Sequence, residues 1–454
     1  MTKSLFDSFE EVSAKQWKQK IQFDLKGEDY NETLIFKSLE GIDIKPFYHQ
    51  EDLKKVNITV PKHTSWKNSL KIEINDGALG NKKIVEAIKK GAESLYLLIR
   101  NKEVAPSTLF QNIPEGFTIF IETTFISFSY IKTLLDTGQS TKLNIYIATD
   151  IIGNLAITGN WFTSLQDDFN ELKKISHLSN SKSTITVNLG DYQNSGANII
   201  QQLAYGIAHA NEYLNYFDGT TNHPLKRNPI LFKVSIGGNY FFEIAKIRAL
   251  RTLWSTLATE YNVSPECHII AHPSHRNKTI LDYNVNMLRT TTECMSAILG
   301  GANTVYNLPY DDIYNQENEF GTRISINQLL ILKNESYFDI VSNPASGSYY
   351  IESITEQLAE KALSLFKDIE KNGGFLNQLK AGKIQKKIKE SALKEQELFD
   401  NQEIILTGSN KYKTTNEVIP SFEKVVFPEK KVRKTLLEPL IKRRLSEKIE
   451  KKIR

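Results

Sequence analysis

From residue 70 onward, short apolar runs alternate with longer stretches in which apolar residues return every three to four positions. Short runs rich in Val, Ile, Leu and Phe read as buried strands, and the longer spacing reads as one face of a helix. The strand-like runs are Leu70–Ile74, Leu95–Ile99, Thr118–Ile121, Leu143–Ile147, Thr184–Asn188, Leu231–Ile236, His268–Ala271 and Thr304–Asn307, eight in all. Helical patterns follow most of them, at Lys82–Lys90, Ile131–Leu135, Phe162–Leu178, Ala197–Phe217, Tyr240–Ala258, Val285–Leu299 and Arg323–Lys333. Eight strand–helix units over about 265 residues match the count and length of an α/β fold of the (β/α)8 TIM-barrel type. A doubly wound sheet is the competing arrangement, because periodicity does not register closure.

The chain outside this pattern divides in two. Residues 1–65 form an N-terminal extension, with a short amphipathic helix at Ser13–Ile21, a strand at Thr33–Leu39 and a hairpin turn at Gly41. The barrel occupies residues 66–340. Residues 341–454 form a C-terminal helical region: Leu358, Ala362, Leu365 and Ile369 mark the buried stripe of a long helix, and Leu379–Leu398 is charged and helical. Residues 400–423 read as a strand and loop. Leu436, Leu437, Leu440, Ile441 and Leu445 predict a basic terminal helix that packs one apolar stripe and is otherwise solvated.

Charge changes the picture only at that end. The net charge of +4 hides a local +8, because residues 424–454 hold 12 Lys/Arg and 4 Glu. The rest is therefore mildly acidic, at 4 − 8 = −4, and gives no reason to expect nucleic acid. No run of 18 apolar residues is present, and the first twenty residues lack a signal-peptide core. Two cysteines, Cys267 and Cys294, exclude a disulfide scaffold and fit a reducing, cytoplasmic setting.

Candidate chemistry is sparse. Cys267, His268, His272 and His275 are dense but lack a metal-ligand frame, and His268 and His272 lie about 13 Å apart along an extended strand. No GxSxG, GxGxxG or Walker motif occurs. Gly237-Gly238 precedes a helix, and Glu243 and Lys246, three apart on it, predict a surface ion pair. His272, at a strand end, is a cleft residue; Arg289 and Arg323, near helix starts, could hold an anion. The stretch "NLGDYQNSGAN" (188–198) places Asp191–Ser195 in a strand-to-helix loop, on the face where barrel enzymes do chemistry.

Four long stretches carry a resemblance: "LFKVSIGGNYFFEIAKIRALRTLWSTL" (231–257), "NVNMLRTTTECMSAILGGANTVYNLPYDD" (284–312), "EFGTRISINQLLILKNES" (319–336) and "SNPASGSYYIESITEQLAEKALSLFKDIEKNGGF" (342–375). They are similar to the barrel chains of adenosylcobalamin-dependent acyl-CoA mutases, above all methylmalonyl-CoA mutase. The resemblance implies a barrel through which catalytic chains thread the acyl-CoA, capped by a cobalamin domain, with a radical carbon-skeleton rearrangement that interconverts succinyl-CoA and (R)-methylmalonyl-CoA.

This chain departs from the catalytic pattern at three places. The Tyr-His pair of the fifth strand aligns with Gly190 and Asp191, and an ionised carboxylate can only accept where an imidazole can donate. The Pro-Trp-Thr-Ile-Arg-Gln-Tyr-Ala-Gly phrase is reduced to Trp66 in "WKNSLKIEINDGALGNKK" (66–83), and the cobalt-binding Asp-x-His-x-x-Gly phrase is absent. These losses, and the opening "FEEVSAKQWKQKIQFDLKGEDYNETLIFKSLEGIDIKPFY" (9–48), resemble the small, noncatalytic subunits of heterodimeric members. The implied chain has no catalytic residue and binds no cofactor or metal. It leaves Gly190 and Asp191 as degenerate site positions, with Tyr192, His272 and Arg323 as residual pocket residues. Its implied partner is a large catalytic subunit carrying adenosylcobalamin, with no nucleic acid and no membrane. The alternative is a catalytic barrel that uses a separate cobalamin-binding chain.

Overall fold

The computed structural model describes residues 8–53, 59, 65–220, 222–414, 419–428 and 433–453. Near the N-terminus, Ser13 caps the helix Ala14–Asp24, accepting from the Gln16 backbone N–H while the Gln16 side chain accepts from the Ser13 N–H. A five-residue helix, Tyr30–Leu34, occupies part of the predicted strand Thr33–Leu39. The remainder is β1 (Phe36–Lys37), which pairs with β2 (Asp43–Ile44) in an antiparallel hairpin. Gly41 takes φ +63° in its turn, a backbone state that glycine adopts without strain.

The eight predicted strands all form: β3 (Lys67–Ile74), β4 (Ser94–Ile99), β5 (Thr118–Thr123), β6 (Asn144–Ile147), β7 (Thr186–Asn188), β8 (Ile230–Ile236), β9 (Cys267–Pro273) and β10 (Thr304–Tyr306). They make one parallel sheet in the order β6-β5-β4-β3-β10-β9-β8-β7. Two backbone hydrogen bonds bring its ends together: Ile147 N–H donates to Ser183 O at 2.9 Å, and Lys182 N–H to Ile145 O at 2.8 Å. The sheet therefore wraps into a TIM barrel, and the doubly wound alternative is excluded.

Strand alternation sorts side chains into two cores. Leu95, Leu97 and Ile99 of β4 face outward and pack with Ile84 and Leu134 of the surrounding helices. The intervening residues point inward, where Tyr96, Phe120, Leu231, Ile270 and Tyr306 form a separate buried cluster. Phe120 of β5 lies 5.2 Å from the ring of His268 on β9, a contact across the barrel axis. The barrel is filled by its own side chains.

Several expectations are corrected. Asp191–Ser195 is not an open loop: Leu189–Asn194 forms a short helix, and the long helix Ile199–Phe217 follows it. A helix at Ile151–Thr158, stopped by Gly159 at φ +77°, precedes Leu165–Ser176. Glu243 and Lys246 are not a surface pair; both are buried, with Lys246 Nζ 2.5 Å from Glu243 Oε2. The helix that carries them, Tyr240–Glu260, is sandwiched between the barrel and a second layer containing Tyr349–Lys371, so nearly all of 242–251 is covered. Thr407 and Lys411 form an isolated bridge in place of a strand across 400–423.

The basic tail departs most. Among its described residues only Glu447–Ile453 is helical; 433–446 is irregular and docked. Leu437, Leu440 and Leu445 are buried, but by a segment that follows the barrel loops. Its backbone N–H groups donate to Gly159 O from Leu436 and Leu437, to Ala156 O from Leu440, to Asn194 O from Arg443 and to Arg276 O from Leu445. These external acceptors replace the intrahelical ladder that the leucine spacing predicted.

Candidate functional site at the barrel mouth

In a TIM barrel the C-terminal strand ends frame the site of chemistry. Here that rim is occupied by polar side chains already paired with one another. Among them is Lys233 of β8, whose Nζ donates to Glu122 Oε2 at 2.8 Å and Tyr96 OH at 2.9 Å, while the Tyr96 hydroxyl also donates to Glu122. Burial opposes ionisation of Glu122, but Lys233 and the two hydrogen bonds outweigh it and hold the carboxyl at about 2. Burial likewise opposes the Lys233 ammonium, and Glu122 outweighs it, so both stay charged.

His272 of β9 lies in the same interior, stacked on Tyr306 at 4.7 Å. Its Nδ1 donates to Pro273 O at 3.0 Å, and its Nε2 accepts from Ser235 Oγ at 3.3 Å. Burial, then the charge of Lys233, keeps its imidazole well below the usual range, so it is neutral at pH 7. Next along, His275 Nε2 meets Asp312 Oδ2 at 2.7 Å, and Lys424 Nζ meets Asp312 Oδ1 at 2.9 Å.

Gly190 and Asp191 have specific local roles. A Cβ on Gly190 would sit 2.5 Å from Ser235 Oγ and 3.3 Å from the Ser235 nitrogen. Close approach of β8, not a left-handed φ, makes this position glycine. Asp191 is held by Lys442 Nζ of the tail at 2.6 Å and by Asn188 Nδ2 at 3.0 Å. A strap from the C-terminal region thus occupies the carboxylate that stands where the catalytic pattern has histidine.

None of the three residues expected to line a residual pocket lines one of the three larger cavities. Tyr192 lies in the outer core against Tyr205 and Phe375, its OH 2.8 Å from His209 Nδ1. His209 Nε2 is 3.1 Å from Asp150 Oδ1, an ion-pair distance outside hydrogen-bond geometry. Asp150 also accepts from Tyr213 OH and from the Asn188 backbone N–H, so this buried cluster anchors the end of β7. His272 is buried beneath the rim. Arg323 is exposed on the helix Glu319–Asn334, its guanidinium 5.8 Å from the ring of Phe320. Arg289 donates to Asn286 Oδ1 at 2.9 Å and to the Thr407 carbonyl.

Sequence reasoning missed Lys71, Glu122 and Lys233. Their signal was parity: each is a charged residue on the inward register of a strand whose outward register is apolar. Lys442 carried no such signal, because nothing local links it to Asp191.

A model of the family described as methylmalonyl-CoA mutase matches residues 109–454. The chain belongs to that family. The small subunit of methylmalonyl-CoA mutase from Porphyromonas gingivalis is 30% identical over 449 residues, covering 91% of this chain and 72% of that protein. The small subunit from Propionibacterium freudenreichii subsp. shermanii is 26% identical over 417 residues, 82% of this chain and 64% of that one. The large subunit from Porphyromonas gingivalis matches over 230 residues at 29%, half of this chain and 32% of its own length. Similarity to small subunits therefore covers 91% and 82% of the chain, whereas that to the large subunit covers half of it.

The tail runs along the loops after β6, β7 and β9, and Lys442 is committed to Asp191. Among the described residues no three His, Cys, Asp or Glu side chains converge as metal ligands, and no helix is long and apolar enough to cross a membrane.

Proposed function

We propose that this chain is the noncatalytic small subunit of a heterodimeric methylmalonyl-CoA mutase of cytoplasmic propionate metabolism. It supports a large catalytic subunit that carries adenosylcobalamin and interconverts succinyl-CoA and (R)-methylmalonyl-CoA. The observation that carries this reading is the filled barrel. Tyr96, Phe120, Leu231 and Tyr306 close the axis along which an acyl-CoA would have to pass. The near-full-length similarity to chains named small subunits supports it.

The physical role is support. Radical chemistry needs a rigid, water-excluding site, and a second barrel packed against the catalytic one adds stiffness without adding chemistry. The N-terminal helix offers contact surface: Ala14–Asp24 buries none of its residues, and Trp17 and Phe23 stand exposed.

The test is reconstitution. The purified chain with adenosylcobalamin and methylmalonyl-CoA should give no turnover, and should co-elute with the large subunit when the two are mixed. Turnover by the isolated chain would overturn the proposal.

A further inference from the structure

The tail that straps the barrel mouth also walls a cavity of about 420 Å³. Lys71 of β3, Arg100 just beyond β4, and Lys442 and Arg443 of the tail all line it. Six lysines and arginines line it against three carboxylates, Glu73, Asp312 and Glu447. The neighbouring space of about 210 Å³ that Lys71 also borders is lined by Glu73, Asp311, Asp312 and Glu317, so the positive side is the one toward the tail.

Most of these cations have a partner but not a full complement. Arg100 meets Glu73 Oε2 at 3.0 Å, Lys442 meets Asp191 at 2.6 Å and Arg443 Nη1 meets Glu447 at 3.1 Å. A guanidinium has five N–H donors and an ammonium three, so each keeps donors free. Lys71 is the exception. Among the described residues its Nζ has a single ion-pair partner, Glu73 Oε1 at 4.0 Å, and no hydrogen bond. Asp312 also attracts this ammonium, but among the described residues no protein atom accepts a hydrogen bond from it, so its N–H groups are open to water or a ligand.

The geometry points to a binding site for a compact phosphate-bearing anion, seated on Lys71 between Arg100 and the tail residues Lys442 and Arg443. The cations come from three separate segments of the chain: β3, the residue after β4, and the tail. A tetrahedral phosphate, with oxygens directed several ways, can meet all three at once, which a planar carboxylate cannot. The tail supplies part of the lining, and the site needs neither a partner subunit nor turnover. Burial, which outweighs Asp312 and Glu73, lowers the Lys71 ammonium from the ordinary lysine range and leaves more neutral amine there than on surface lysines.

That amine allows a direct test on the full chain with pyridoxal 5′-phosphate, a phosphate-bearing aldehyde, followed by borohydride. The Lys71 nitrogen attacks the aldehyde carbon, water leaves, and borohydride delivers hydride to the imine carbon, fixing the label for peptide mass spectrometry. Lys71 should label roughly ten-fold or more faster than exposed Lys142, as a cationic cleft concentrates anions. Inorganic phosphate should protect it, while sodium chloride of equal ionic strength should not. Arg100→Gln, which leaves Lys71 in place and removes a half-exposed side chain, should slow labelling several-fold with an unchanged melting temperature. Labelling of Lys71 at the rate of Lys142, or labelling that phosphate does not slow, would overturn the site.

Discussion

Gly190 and Asp191 are each fixed by a contact with another part of the fold, Ser235 of β8 and Lys442 of the tail. Gly190 is constrained by Ser235 of β8, so Gly190→Tyr must displace that strand or its own helix. Overpacking of this kind costs about 1–3 kcal/mol, and a urea melt should show the loss while Asp191→His alone stays near the parent. Inside the barrel, His268 is held at about 3 by burial and then by Arg251 and Lys67. The unfolded imidazole takes a proton below its ordinary 6.5, whereas the folded one stays neutral down to about 3. The unfolded state therefore binds more protons across that window, and stability falls as pH drops through it. His268→Gln, which keeps a partner for Thr304 Oγ1, should lose less stability than the parent between about pH 7.5 and about pH 4.5. At this scale the sequence was legible where chemistry was missing and opaque where it was buried. Asp191 could be read from the motif, but its partner Lys442 lies 251 positions away.

At the scale of elements, the tail carries the clearest energetic prediction. Arg444 bridges Glu450 with two bonds, Nη1 to Oε1 at 2.7 Å and Nη2 to Oε2 at 2.6 Å, with both side chains buried. Removing one member leaves the other charge buried, at a typical cost of about 3–5 kcal/mol. Arg444→Met should therefore shift the urea midpoint far more than Lys20→Met, which breaks only a solvated pair with Asp24. The strands and most outer helices were legible because their periodicity reports burial on one face. The tail was misread because leucines at helical spacing also suit an irregular strap whose N–H groups find acceptors elsewhere. Glu243 and Lys246 were misread for the reciprocal reason: i,i+3 spacing places two charges together but does not say whether a second helical layer covers them.

For the whole molecule, the closed ring of strands and the filled axis matter most. On the proposed reading, a barrel that keeps its outer helices but packs its axis serves as a scaffold, with its partner contacts on the outside. Trp17 is half-exposed on a helix with no fully buried residue, its ring edge-on to Phe47 at 6.3 Å. Trp17→Ala should weaken binding to the proposed large subunit at least roughly ten-fold, as loss of an aromatic anchor does, with only a small change in the chain's own urea midpoint. Unaltered affinity in a titration would place the interface elsewhere.

By itself the sequence determined the strand count, the alternation and the family, because each is written in local pattern or in ordered motif. Closure between β6 and β7, the side chains that fill the axis, the burial of Glu243 and Lys246, and the tail's path to Asp191 were decided only in three dimensions. All four depend on contacts between residues far apart in the chain, where neither periodicity nor spacing carries information.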